Sequence, residues 1–275
     1  MRFPKSSIVI VSVVFALTAF AILPVLDDVG REHVDASFKR ALAGFAIARG
    51  LNGVISVAQG TEVAIQPAGV GVNFTPGEIL DPINDLVERF SWIMLLASSS
   101  LGVQKVLLSM SAWHGLLIAL VLIALFLIAA HLFRLSDSLK VVVGRVFLFV
   151  LLLRLMMPLI AIANDLVYKT FLQNDYIESS QQLQVARDEI GELNKQIQSD
   201  TKAPTGIVDR AKDFYKQLAE RVDFEKRYDS YKNAAESISE NTIDLIVVFI
   251  MQTLVFPLLF LVIVFGVLRR ITRWR

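Results

Sequence analysis

The sequence predicts an all-α integral membrane protein with four transmembrane helices, outer in-plane or re-entrant amphipathic helices with a small β-hairpin, and a long antiparallel helical (coiled-coil) hairpin outside the membrane. Three observations predict it. Apolar residues make up 55% of the 275 residues, above the ~45–50% of ordinary soluble domains. Charges are clustered, so apolar stretches long enough for a ~30 Å hydrocarbon core alternate with densely charged ones. Leu183, Ala186, Ile190, Leu193 and Ile197 recur at alternating threes and fours, the seam of a coiled coil.

Residues 1–26 form the first span, read as a signal anchor. Ala19-Phe20-Ala21 also has the small-x-small form that signal peptidase cleaves, but the apolar run continues past it to Leu26, which favours an uncleaved anchor. The second span is 113–134, the third 141–163 and the fourth 242–268. A cytoplasmic loop, 135–140, joins the second and third.

Lys and Arg beside the spans set the orientation. With both termini cytoplasmic, the inside segments hold nine basic residues against one acid, while 27–112 and 164–241 hold 17 basic and 24 acidic. The chain is therefore expected in a cytoplasmic (inner) membrane with those two regions extracytoplasmic. The basic tail, 269–275, ends in an interfacial anchor containing Trp274.

In region 27–112, Val34, Phe38, Ala41, Leu42, Phe45, Leu51, Val54 and Ile55 recur near helical spacing, which predicts an amphipathic helix lying against the membrane. Val63–Gln66 and Val70–Phe74 around Pro67-Ala68-Gly69 predict the small hairpin. Thr75-Pro76-Gly77 reads as a turn, and Asp81-Pro82 as the start of the next helix. Residues 90–110 are apolar enough to span. Ser98, Ser99, Ser100, Gln104 and Lys105 in their middle favour an in-plane or re-entrant helix instead. Within that helix Ser91, Ser98, Gly102, Lys105 and Ser109 form one small and polar stripe, fitted either to close helix packing or to lining a pore.

In region 164–241 the seam residues form the first arm of the hairpin. Pro204 marks a break, and Ala211, Phe214, Leu218, Val222, Tyr228, Tyr231, Ala235 and Ile238 predict a second arm with a charged, solvated outer face. No breaker separates either arm from its adjoining span, so the arms read as continuations rising roughly 40 Å at ~1.5 Å per residue.

Arg154 lies inside the third span, where an isolated charge is costly and calls for a partner. Counted inward from Asn164 and Asn241, Arg154 and Gln252 are each about ten residues deep, so they are the expected polar pair, with Thr253 nearby. Pro158 and Pro257 each remove a backbone hydrogen bond and are candidate hinges.

His33, His114 and His131 are too scattered for a metal pair, and the absence of cysteine removes thiol chemistry and cysteine metal sites. No phosphate loop, nucleophile elbow or dinucleotide fingerprint occurs, and no basic run is interleaved with aromatics. The sequence thus predicts no enzyme, no catalytic or metal residues, no cofactor and no nucleic-acid partner. Its expected partners are the lipid bilayer, further copies in a homo-oligomer, and an envelope protein docked on the 164–241 hairpin. The preferred function is an oligomeric inner-membrane channel or pore for ions or small solutes. An envelope scaffold docking partners through the hairpin is the alternative. A secondary transporter has the least support, since no internal repeat is visible.

Overall fold

Helices dominate the computed structural model, which describes residues 5–60, 63–65, 72–74, 76–200 and 212–273. In chain order it contains α1 (Lys5–Ile22), α2 (Pro24–Gln59), β1 (Val63–Ile65), β2 (Val72–Phe74), α3 (Pro76–Ser111), α4 (His114–Leu132), α5 (Asp137–Val167), α6 (Gln173–Asp200), α7 (Lys212–Ile250) and α8 (Phe256–Arg273). A π turn, Tyr168–Leu172, joins α5 to α6, and another, Met251–Val255, joins α7 to α8. Among the described residues, five helical runs are long and apolar enough to cross a membrane: Pro24–Gln59, Ile79–Ser111, His114–Leu132, Asp137–Gln196 and Lys226–Gly266, with Ser7–Ile22 a shorter apolar helix. The first two lie in the region that the sequence reads as outer surface.

Helix ends follow the prolines, though not always as expected. The first apolar run does not continue to Leu26 as one helix. It breaks at Leu23, because Pro24 has no amide to donate and disfavours helical geometry at the residue before it. α3 begins at Pro76, inside the expected turn, and runs on through Pro82. Asp81 is therefore no cap, and its Oδ1 accepts a 2.7 Å bond from Gln59 Nε2. The two short strands pair antiparallel, Val63 opposite Phe74 and Ile65 opposite Val72. The expected turn at Pro67-Ala68-Gly69, Thr75, the break at Pro204, Ala211 and the anchor Trp274 lie outside the described residues.

The chain divides into two compact units. The first comprises Met1–Lys39, Ser99–Thr170 and Gln252–Arg275, the second Arg40–Ser98 and Phe171–Met251. In the first, α1, α4 and α5 bury a wholly apolar cluster of Val14, Ala21, Leu120, Ala124, Leu127, Phe147 and Leu151. The outward faces of these helices are apolar too: Leu122, Leu125, Phe126 and Phe149 are all exposed. α4 ends in a Schellman motif, in which the Leu135 amide bonds the Ala130 carbonyl at 3.0 Å and Arg134 takes a left-handed φ of 55°.

In the second unit, α2 from Ala41 to Ala58 and α3 from Leu80 to Met94 bury apolar faces, as do α6 and α7. Hence the amphipathic stripe expected to lie on the membrane packs against protein at Ala41, Leu51 and Ile55, while Leu42 stays exposed. α6 and α7 pack together. Leu183, Ala186 and Ile190 are buried as the seam predicts, but the next inward position is Asn194 rather than the half-buried Leu193. Asn194 is satisfied there: its Nδ2 donates to the Val54 carbonyl and its Oδ1 accepts from the Tyr231 hydroxyl, both at 2.9 Å.

Candidate functional site

The polar groups of the first unit collect where α2 runs beside α5. On α5 the buried positions Phe147, Leu151, Arg154, Pro158, Ala161 and Asp165 recur at threes and fours, forming one stripe of the helix. On α2 the matching stripe is Asp27, Gly30, Val34 and Ser37. Their contacts run in step: Asp27 meets Arg154, Gly30 lies against Pro158, and Val34 packs with Ala161 and Leu108. The two helices are thus parallel here and close: a Cβ on Gly30 would stand in ordinary contact, 3.4 Å from the Pro158 Cα, so a side chain much larger than a methyl group would force them apart.

Arg154 is fully buried and its two terminal nitrogens donate to the two carboxylate oxygens of Asp27, each at 2.6 Å. This fork-to-fork geometry is the strongest form of an Arg–carboxylate bond. The expected partner, Gln252, is elsewhere. Asp27 falls at the start of the region 27–112 that the sequence reads as extracytoplasmic, but the break at Leu23 lets α2 carry it alongside the interior of α5. Among the described residues no acceptor meets Arg154 Nε.

Three turns farther along, Asp165 Oδ2 lies 3.1 Å from His33 Nδ1 and 2.7 Å from Lys169 Nζ. Asp165 is buried, His33 mostly so, and Lys169 exposed, so the triad leads from the interior to the surface. Gln252 is fully buried and its Nε2 donates 2.7 Å to Ser37 Oγ. Its carbonyl accepts from Asn164 Nδ2 at 2.9 Å. That carbonyl is released by Pro257, which lies five residues on, at the π spacing, and has no amide to offer. Pro257 thus sits beside an interruption of the helical hydrogen bonding, whereas Pro158 is buried within an unbroken helix against Gly30.

The small and polar stripe of α3 has a different character. Ser98 and Ser109 donate to carbonyls four residues back on their own helix, Met94 and Lys105, and Ser91 is buried. A Cβ on Gly102 would meet Phe38 at 3.9 Å. Lys105 Nζ lies 2.7 Å from Oδ1 of Asp35 on α2, and the pair is half-exposed. Sequence reasoning missed Asp27, His33, Ser37, Asn164, Asp165 and Lys169. The threefold and fourfold spacing from Asp27 to Ser37, matched by that from Arg154 to Asp165, was the available signal.

No protein-family model matches the chain, and neither does any curated protein or solved structure.

Proposed function

We propose that this chain is an integral membrane protein that moves a proton or small cation, with the buried seam of α2 and α5 as its ion site. The single observation that carries the reading is the set of charged groups compensated inside an otherwise apolar helical unit: Asp27 with Arg154, and Asp165 with His33 and Lys169. Ionisable groups inside membrane helices are costly and mark ion pathways and proton relays. Membrane insertion is supported by the exposed Leu122, Phe149, Val262 and Phe265, which form apolar surface on several helices that water would penalise. Lys105 already has Asp35 as partner, which favours the helix-packing reading of its stripe over a charged pore ring.

The test is flux into liposomes containing the purified chain, followed with pH- and Na+-sensitive dyes. Wild type and Lys105→Gln carry a gradient-driven signal, and Asp165→Asn loses most of it. No flux through folded wild type, or an unaffected Asp165→Asn, refutes the reading. A Lys105 dependence restores the oligomeric pore, whose ring the particle mass in a nanodisc tests directly. The scaffold reading is favoured by a cleft of about 710 Å³ between α6 and α7, lined by Asp175, Glu178, Glu236, Glu240 and Asp244. It expects Glu236→Lys to abolish partner capture and leave flux intact.

A further inference from the structure

Two side-chain oxygens are left over by the polar seam at the junction of α2, α5 and the π turn before α8. Asn164 is 6% exposed and Gln252 is 0%. Each amide nitrogen is used within the chain, that of Asn164 on the Gln252 carbonyl and that of Gln252 on Ser37 Oγ. The Asn164 amide has a fixed sense, because turning it over would set its oxygen against a carbonyl oxygen. With the amide nitrogens so placed, Asn164 Oδ1 and Gln252 Oε1 are buried acceptors that no donor among the described residues reaches. Buried acceptors are nearly always met, so this pair calls for a ligand that donates or carries positive charge.

The surroundings narrow the choice. Every group that holds the junction together through these bonds is an oxygen or an amide: the Ser37 hydroxyl, the Gln252 carbonyl and the two side-chain amides. Hard oxygen donors suit a hard cation. A divalent ion needs carboxylate charge to offset its dehydration, and the adjacent Asp165 already holds His33 and Lys169. The interrupted helix adds a second pointer, since discontinuous helices within membranes present unwound carbonyls to Na+. We propose that Asn164 Oδ1 and Gln252 Oε1, with the oxygens around them, bind a single Na+ ion. The inference rests on the reading of the seam as an ion site, and names the ion.

Binding to the folded state alone raises the unfolding midpoint. The full chain in detergent is melted in NaCl and in choline chloride at equal ionic strength. Wild type shows a Na+-specific rise of about 3 °C once the salt exceeds ~10 times the dissociation constant. Lys105→Gln, which lies away from the junction and leaves both oxygens in place, keeps the rise. Asn164→Leu and Gln252→Met remove one oxygen each and lose it. If Asn164→Leu does not fold, Gln252→Met carries the comparison, and the wild-type contrast alone is sufficient to overturn the site. No Na+-specific rise in wild type, or a rise retained in both oxygen variants, overturns it. A Na+-specific rise in protein that carries no flux keeps the site and removes the transport reading. Flux without the rise removes the site alone.

Discussion

Replacing Arg154 by methionine strands the Asp27 carboxylate inside the first unit. The arginine side chain is 0% exposed and that of Asp27 13%, and two 2.6 Å bonds are lost together. Removing one member of a buried ion pair costs about 3–5 kcal/mol, because the remaining charge keeps its desolvation penalty without its compensation. For a chain of this length that lowers the thermal midpoint by roughly 6–15 °C. Replacing both members, Asp27→Leu with Arg154→Met, removes the charge along with its partner and costs little, since an apolar pair of similar volume is often neutral. The two single variants and the double variant form a cycle with a coupling energy of at least about 3 kcal/mol. Thermal unfolding followed by circular dichroism in one detergent measures it. A drop of less than about 2 °C for Arg154→Met, or a double variant as unstable as the sum of the singles, would refute the buried pairing.

Gly30→Leu drives a side chain into the Pro158 backbone and separates α2 from α5, with an expected loss of about 1–3 kcal/mol and of the Asp27–Arg154 coupling, read in the same melts. Arg134→Gly relieves the left-handed residue that closes α4 and is expected to stabilise by about 1 kcal/mol. Burial pushes the Tyr231 hydroxyl up to about 12, the carboxamide of Asn194 accepting its proton. Because the folded value exceeds the unfolded one of ~10, the neutral tyrosine stabilises the α6–α7 pair fully below pH ~10, and that contribution is lost as pH rises toward ~12. Tyrosinate absorbance against pH checks this, and Tyr231→Phe removes the late-titrating step while costing about 1–3 kcal/mol for the unmet Asn194 oxygen.

Much of the helical content was legible, and for a physical reason. α4, α5 and α8 are announced by long runs rich in Leu, Ile, Val and Phe, and the α6 seam by its threes and fours up to Ile190. At Asn194 the pattern misleads, because hydropathy ranks Leu193 above an amide, whereas a hydrogen-bonded amide is stable inside. The site was less legible. Arg154 was recognisable as a charge needing compensation, but its partner depends on which helix lies beside it, and no run of hydropathy encodes adjacency. Pro24 was the missed local signal. Once a proline is allowed to restart the helix there, Asp27, Gly30, Val34 and Ser37 fall on one face at the spacing of the α5 stripe. Lys105 makes the same point, being the one charge within residues 90–110 while Asp35, beside it, comes from α2.

The apolar cluster of α1, α4 and α5 begins at Leu151, one residue short of a full turn before Arg154. Its members offer an ion neither a ligand nor a dipole, so the dielectric falls abruptly at that level and the self-energy of a charge rises with it. If the seam holds an ion as proposed, that ion advances only when these helices part, and collective helix motions take microseconds to milliseconds. On that proposal transport would saturate with concentration and slow steeply on cooling, the kinetics of a carrier that changes shape for each ion rather than those of an open conduit.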